Sequence, residues 1–125
     1  MKKIIATKNA PGAIGPYSQG VDCGNFVFTS GQIPLDPATG EIVGTDIKAQ
    51  THQALKNLKA VLEEAGLTMA NVVKTTVFLQ NMGDFAEMNA VYSGYFEGDY
   101  PARSAVQVGA LPKGALVEIE CISVR

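Results

Sequence analysis

The last quarter of the chain constrains the possible fold more than any other stretch. Two runs in which apolar and polar residues alternate, residues 100–109 and 115–124, flank a short turn that contains Pro and Gly. An alternation with a period of two is typical of β-strands, and two such runs around a turn predict an antiparallel hairpin. Because alternate residues share a face, Arg103 would lie on the same face as Glu118 and Glu120, opposite the aliphatic residues. That face is either the solvated outer surface of a sheet or part of a pocket or interface.

The length and composition of the chain are those of one globular domain. A chain of 125 residues can bury about two-thirds of its unfolded surface in a single core, so residues 1–125 are expected to form one domain. The hydrophobic content of 46% is slightly high for a free monomer, which favours association with other copies. Ten basic residues are scattered among twelve acidic ones, and the net charge is −2. This balance argues against binding to a nucleic-acid backbone, which needs clustered Lys and Arg.

The cysteines, the histidine and the first residues carry no pattern typical of a functional site. Cys23 and Cys121 lie in different strand-like segments without the spacing of a metal site or a disulfide framework, and both are predicted to be core thiols. His52 is the only histidine and has no ligand partner at a suitable spacing, so no metal site is expected. The apolar stretch after Lys3 is too short for a signal peptide or a membrane span. A cytoplasmic location without membrane contact is therefore expected.

Periodicity along the chain predicts three strands, a helix, a strand, a helix and two final strands. The predicted segments are residues 2–7, 21–23, 26–32 and 72–80 for strands and 46–65 and 84–96 for helices, followed by the two runs of the last quarter. Thr45 or Asp46 can cap the first helix, and Gly66 can end it. Right-handed crossovers would place both helices on one face of one mixed sheet, which is an α+β fold. The other sheet face then needs a cover, and a second copy of the chain is the simplest one.

Two loops present groups that could contact a ligand. Gly15 and Pro16 disfavour regular structure and place Tyr17 on a constrained loop, where its ring could also simply cover the edge of the core. Further on, Ser30 offers a hydroxyl group beside Gly31, whose missing side chain would let a ligand approach the backbone closely. A bulge or the end of a strand explains the same glycine equally well.

Three groups of residues together resemble a known protein family. They are GPYSQ at residues 15–19, SGQIP at 30–34, and PARS at 101–104 followed by VEIE at 117–120. On these motifs the chain is similar, from end to end, to the RidA family of enamine and imine deaminases. The resemblance implies a chorismate-mutase-like α+β fold and a homotrimer with sites between subunits. It also implies hydrolysis of reactive 2-enamines and 2-imines, such as 2-aminoacrylate, to 2-keto acids and ammonia without a metal or organic cofactor.

The resemblance assigns the catalytic roles to Arg103 and Glu118. A guanidinium group matches a substrate carboxylate in two parallel hydrogen bonds, which suits Arg103 to anchoring the substrate. Glu118 could activate water against the imine carbon as a general base and then donate the proton. Glu120 shares a strand face with Glu118, but Glu118 lies next to Leu116, where partial loss of water would help a carboxyl group to hold a proton.

The resemblance also implies four residues that contact the substrate. Tyr17 and Ser30 would donate or accept hydrogen bonds, and the backbone of Gly31 would lie close to the ligand. Many family members have a cysteine where this chain has Ala105. A thiol contribution is therefore absent at this position, while a backbone contact from Ala105 remains possible.

Two other classes of function remain open at this point. Proteins similar to this one are also described as ribonucleases or translation inhibitors, and as small-molecule-binding regulators without turnover. The acidic balance weakens the nucleic-acid alternative. A protein that only binds a ligand would need Arg103 but not Glu118, so the presence of both favours catalysis.

Overall fold

The computed structural model describes residues 2–125 and has the predicted order of elements. The strands are β1 (Lys3–Ile5), β2 (Gly20–Asp22), β3 (Phe26–Thr29), β4 (Val72–Leu79), β5 (Ala102–Gln107) and β6 (Val117–Val124); the helices are α1 (Ile47–Glu64) and α2 (Phe85–Tyr92). The six strands form one sheet in the order β1-β2-β3-β6-β4-β5, in which β4 and β5 are parallel and the other neighbours antiparallel. The predicted α+β fold with a mixed sheet is confirmed. No helix in this part of the chain is long and apolar enough to cross a lipid bilayer.

Helix α1 begins and ends where the sequence predicts. Of the two candidate caps, Asp46 is used: its side chain accepts a hydrogen bond from the backbone N–H of Ala49 at 2.8 Å. At the other end Gly66 adopts a φ of 78°, and the N–H of Leu67 donates to the carbonyl of Leu62 at 2.9 Å. This is the hydrogen-bond pattern of a Schellman stop, and it needs a residue that tolerates a positive φ.

The core lies between the two helices and one face of the sheet. Its fully buried members include Leu55, Leu58 and Leu62 of α1 and Val77, Val117 and Ile119 of the central strands. Helix α2 adds Met88 and Tyr92 to the same cluster. Cys121 is buried as predicted, whereas the prediction for Cys23 is wrong, because this thiol is exposed in the turn between β2 and β3.

The predicted hairpin in the last quarter is wrong. Strands β5 and β6 are not neighbours, because β4 lies between them. Thr75 of β4 pairs with both Arg103 and Cys121, so Arg103 lies on the sheet face that carries buried Cys121 and the helices. Glu118 alternates with the buried residues of β6 and lies on the opposite face. Alternation predicts the two faces within each run, but the relation between the runs depends on the strand inserted between them.

The sheet face opposite the helices remains uncovered in a single chain. Phe26, Phe28 and Val106 lie on it with exposed fractions of 47%, 42% and 45%. The rings of Phe26 and Phe28 lie 6.4 Å apart, so their apolar surface is contiguous. Glu118 and Glu120 are half-buried on the same face. We call this surface the open sheet face.

Candidate active site

A cavity of about 540 Å³ opens where two loops meet strand β6. Its walls come from the loop after β1, the chain following β3 and the turn before β6, and Glu118 points into it. Four of the predicted site residues line this cavity, namely Tyr17, Ser30, Gly31 and Glu118. We call it the Glu118 cavity.

Gly31 and Glu118 are in very close contact. The chain after β3 is held against β6 by a pair of backbone hydrogen bonds between Gln32 and Ile119, at 2.8 and 3.1 Å. This bridge places Gly31 beside Glu118, and a Cβ atom built on Gly31 would collide with Glu118 Oε2. The residue must therefore be glycine for the carboxyl group to occupy this position. The sequence-based alternative of a strand end also applies, since β3 ends at Thr29.

The pKa of Glu118 is raised above its ordinary value. Burial is the larger cause, and the negative charge of Glu120 on the same strand face adds to it. Across the sheet Glu118 is paired with Phe78, which offers no charge to stabilise the carboxylate. A carboxyl group in this environment exchanges protons closer to neutral pH than an exposed one, which suits general acid–base chemistry.

Ser30 presents an acceptor to the cavity. Its hydroxyl group donates a hydrogen bond to the carbonyl of Ser18 at 2.6 Å, and its N–H donates to the carbonyl of Gln19 at 2.9 Å. Because the hydroxyl proton is already used, the remaining lone pairs of Oγ can accept a hydrogen bond from a ligand. The sequence left open whether Ser30 donates or accepts, and this geometry favours acceptance from an N–H or O–H group.

Tyr17 lies on the cavity wall with an exposed fraction of 48%. Its N–H donates to the carbonyl of Gly15 at 2.8 Å, which tightens the loop that carries the ring. Its ring is not one of the buried core residues. The phenol group is free to face a ligand in the cavity.

Gln19 holds the wall of the cavity together, a role that the sequence did not indicate. Its buried side chain accepts from the N–H of Thr7 at 2.6 Å and donates to the carbonyls of Thr7, Ala10 and Pro11 at 3.0, 3.3 and 2.7 Å. Two amide protons serve three acceptors, so the bonds are shared. The residue belongs to the GPYSQ motif, but nothing in the pattern distinguishes a buried loop anchor from a ligand contact.

Lys113 is a second cavity residue that sequence reasoning missed. It adopts a φ of 56° in the turn before β6, and its Nζ donates to the carbonyl of Gly40 at 3.0 Å. The bond joins two turns at the rim of the Glu118 cavity. The sequence showed only a turn between Pro and Gly at this point.

Arg103 lies outside the Glu118 cavity, between the edge strand β5 and helix α2. Its Nη1 donates to Oδ1 of Asn89 at 2.7 Å. The guanidinium carbon lies 4.8 Å from the centre of the Tyr92 ring and 5.3 Å from that of Phe85, within the range of cation–π attraction. Tyr92 is itself fixed by a 2.7 Å hydrogen bond between its hydroxyl group and Thr75.

Ala105 is also outside the cavity. It pairs with Val77 on the helix side of the sheet, where it is half-buried and packs against the core. Arg103 and Ala105 are thus on the opposite face of the sheet from Glu118, which corrects the prediction that the guanidinium and the carboxylate share a face. One chain brings together four of the six predicted site residues and leaves these two apart.

His52 lies on the exposed surface of α1, against the turn that follows α2, and not in the cavity. Its Nδ1 is 3.1 Å from the hydroxyl group of Tyr95, which agrees with its interpretation as a surface or helix-packing residue. Among residues 2–125, no three His, Cys, Asp or Glu side chains are grouped as metal ligands would be.

This chain is similar to known proteins over almost its whole length. A family model described as endoribonuclease L-PSP matches residues 7–125. The 2-iminobutanoate/2-iminopropanoate deaminase of Escherichia coli is 55% identical over 128 residues, which cover 100% of this chain and 99% of that protein. Among solved structures, Escherichia coli TdcF with bound serine has a TM-score of 0.95 at 52% identity and covers 98% of both chains. RidA from an Antarctic Psychrobacter has a TM-score of 0.95 at 47% identity and covers 98% of this chain and 99% of its own.

Proposed function

Since this chain belongs to the endoribonuclease L-PSP family, which is the RidA family named above, we propose that it is a hydrolase that deaminates 2-imino and 2-enamino acids. Its products are a 2-keto acid and ammonia. The observation that carries the proposal is the Glu118 carboxyl group, which lies in a cavity against Gly31 with a raised pKa and no cationic partner among the described residues. A carboxyl group with a pKa raised toward the working pH can both accept a proton from water and donate it again.

The proposed reaction transfers the elements of water to the C=N bond. Glu118 takes a proton from a water molecule while the water oxygen bonds to the imine carbon, and it then gives this proton to the imine nitrogen, which becomes an amine and leaves Glu118 as a carboxylate. In the resulting tetrahedral intermediate, Glu118 passes the hydroxyl proton to nitrogen, the C–N bond breaks, and ammonia leaves as the carbonyl group forms. Ser30 accepts a hydrogen bond from the substrate N–H throughout, since its own proton is held by Ser18. The backbone of Gly31 and the Tyr17 hydroxyl group complete the contacts.

The proposal includes a homotrimer in which Arg103 of one copy serves the Glu118 cavity of another. Two observations support this assembly: Arg103 and Glu118 lie on opposite faces of one sheet, and the open sheet face exposes contiguous apolar surface. A neighbouring copy could cover that face and bring the guanidinium group to the substrate carboxylate. Light scattering should give three times the 13.2 kDa of one chain at micromolar concentration. A monomer under these conditions would exclude the shared site.

Mixing two inactive variants tests the shared site directly. In trimers assembled from equal amounts of Glu118→Gln and Arg103→Ala chains, about a quarter of the intersubunit sites should contain both parental groups. Activity should therefore return to about a quarter of the parental level, although each variant alone is nearly inactive. If the mixture stays as inactive as its components, both groups act from one chain.

A coupled assay tests the reaction itself. The protein is added to a pyridoxal-phosphate dehydratase that releases 2-aminoacrylate, and ammonia and 2-keto acid are followed with time. Release should be faster than spontaneous hydrolysis, and Glu118→Gln should remove the difference. Binding of the product without faster release would instead support the regulator alternative from the sequence. The exposed free thiol of Cys23 is consistent with a reducing compartment, and we place the reaction in the cytoplasm.

A further inference from the structure

We propose that Asn89 is a positioning residue that orients the Arg103 guanidinium group while leaving its positive charge unneutralised. The inference rests on the proposed function, in which Arg103 receives the substrate carboxylate. It adds a residue that neither the motifs nor the lining of the Glu118 cavity contain.

Three residues of helix α2 surround the guanidinium group. Phe85, Asn89 and Tyr92 are spaced four and three residues apart, which places them on one face of the helix. The two rings lie 5.3 and 4.8 Å from the guanidinium carbon, and Asn89 Oδ1 accepts from Nη1 at 2.7 Å. The rings restrict how far the plane can tilt, and the amide restricts its rotation.

The donors of Arg103 are mostly left free by this arrangement. A guanidinium group has five N–H donors, and Asn89 occupies one of them. Within the described residues the one ion pair joins Arg125 to Asp22, so Arg103 has no carboxylate partner there. A planar carboxylate needs two parallel donors, and enough remain for it.

Asn89 carries no charge, and this allows its role in positioning Arg103 to be distinguished from a role in packing α2 against β5. An aspartate has the same shape and would accept the same hydrogen bond, more strongly because it is charged. If Asn89 only tied α2 to β5, Asn89→Asp would be neutral or stabilising. If Asn89 keeps the charge of Arg103 available, Asn89→Asp would pair the guanidinium group internally and repel an incoming carboxylate.

The experiment compares Asn89→Asp with Asn81→Asp in the full-length chain. The control adds the same charge just before α2, where the Oδ1 of Asn81 accepts from the N–H of Gly83 at 2.8 Å and an aspartate can do the same. Three quantities are measured: the Kd of 2-oxobutanoate, the Kd of its neutral carboxamide, and the Tm. Kinetics in the coupled assay then give KM and kcat for both variants.

Asn89→Asp should weaken 2-oxobutanoate binding about tenfold or more, the size expected for losing a charge-assisted hydrogen bond. Binding of the carboxamide should change little, the Tm should stay level or rise, and KM should increase more than kcat falls. Asn81→Asp should match the parental protein in every measurement. Parental affinity of Asn89→Asp for 2-oxobutanoate, or equal losses for the acid and its amide, would overturn the inference.

The binding measurements do not depend on turnover. If the parental protein binds 2-oxobutanoate but does not accelerate imine hydrolysis, the proposed reaction fails while the role of Asn89 is still decided by the two affinities. If hydrolysis is fast and Asn89→Asp binds normally, the reaction stands and the positioning role is rejected.

Discussion

Glu118 and Arg103 are both positioned without an ion pair, but by different kinds of neighbouring groups. Glu118 lies on β6, a central strand, and its carboxyl group lies beside the backbone of Gly31. Arg103 lies on β5, at the edge of the sheet, and its neighbours are an amide and two aromatic rings from α2. Within residues 2–125, neither charged group has an oppositely charged partner. The comparison shows that a charged side chain can be held in place without an internal ion pair, so that its charge remains available to a substrate.

The largest expected effect concerns the choice between the two carboxylates of β6. Glu118→Gln should keep the fold and the assembly but lose the general base, which lowers the rate by about 10²–10⁴. Glu120 lies on the same face about 6.5–7 Å further along the strand, too far to reach the same carbon, so Glu120→Gln should cost far less. Dehydratase-coupled hydrolysis, corrected for the spontaneous reaction, measures both. Near-parental turnover of Glu118→Gln would assign catalysis to orientation by Arg103 and backbone groups.

Gly31→Ala tests whether backbone proximity positions Glu118. The added methyl group would collide with Oε2 and displace the flexible end of the carboxylate, whose misplacement should cost on the order of 10² in kcat. Gly94→Ala is the matched control, because nothing lies within 4 Å of a Cβ atom built there. The Tm of both variants shows whether the fold is kept. Full activity in Gly31→Ala would mean that Glu118 acts from another position.

Arg103→Lys tests whether the guanidinium group anchors the substrate carboxylate. An ammonium group keeps the charge but cannot serve Asn89 and present two parallel donors to a carboxylate, so kcat/KM should fall roughly tenfold to a hundredfold. The Tm should change little, because Arg103 is only half-buried. Unchanged kinetics on an imine that carries a carboxylate would rule out the anchor role.

The smallest expected effect is a stability change that depends on pH. Because the pKa of Glu118 is raised in the folded state, the folded chain binds more protons than the unfolded one, and stability falls as pH rises from the ordinary carboxyl range through the raised pKa. Glu118→Gln removes this loss, so its Tm at pH 7 should exceed the parental value by about 1–3 °C. Below about pH 4, where the parental carboxyl group is protonated in both states, the difference should vanish. An equal gain at both values of pH would point to packing rather than to charge.

The sequence predicts the order of the elements and four residues that line the Glu118 cavity, but not how the strands are arranged relative to one another. Local patterns were sufficient to narrow the α1 cap to Thr45 or Asp46 and to predict the acidic face of β6, because residues adjacent in the chain determine both. The face of Arg103 was predicted wrongly, because it depends on β4 entering the sheet between two consecutive strands. Asn89 was missed for a similar reason, since its contact with Arg103 joins α2 to β5. Contacts between different elements depend on the order of the strands in the sheet, and the alternation of residues within a single strand does not reveal that order.

The hydrogen bonds of Gln19 have a consequence for how the cavity wall opens. The segment from Thr7 to Pro11 has no strand or helix ladder of its own. The buried Gln19 side chain, next to β2, satisfies four of its backbone groups, namely the N–H and carbonyl of Thr7 and the carbonyls of Ala10 and Pro11. When the Gln19 side chain breaks these hydrogen bonds, the four backbone groups lose their partner at the same time. This segment therefore opens as a small unit, and exchange of the Thr7 amide proton with solvent reports its release, short of global unfolding.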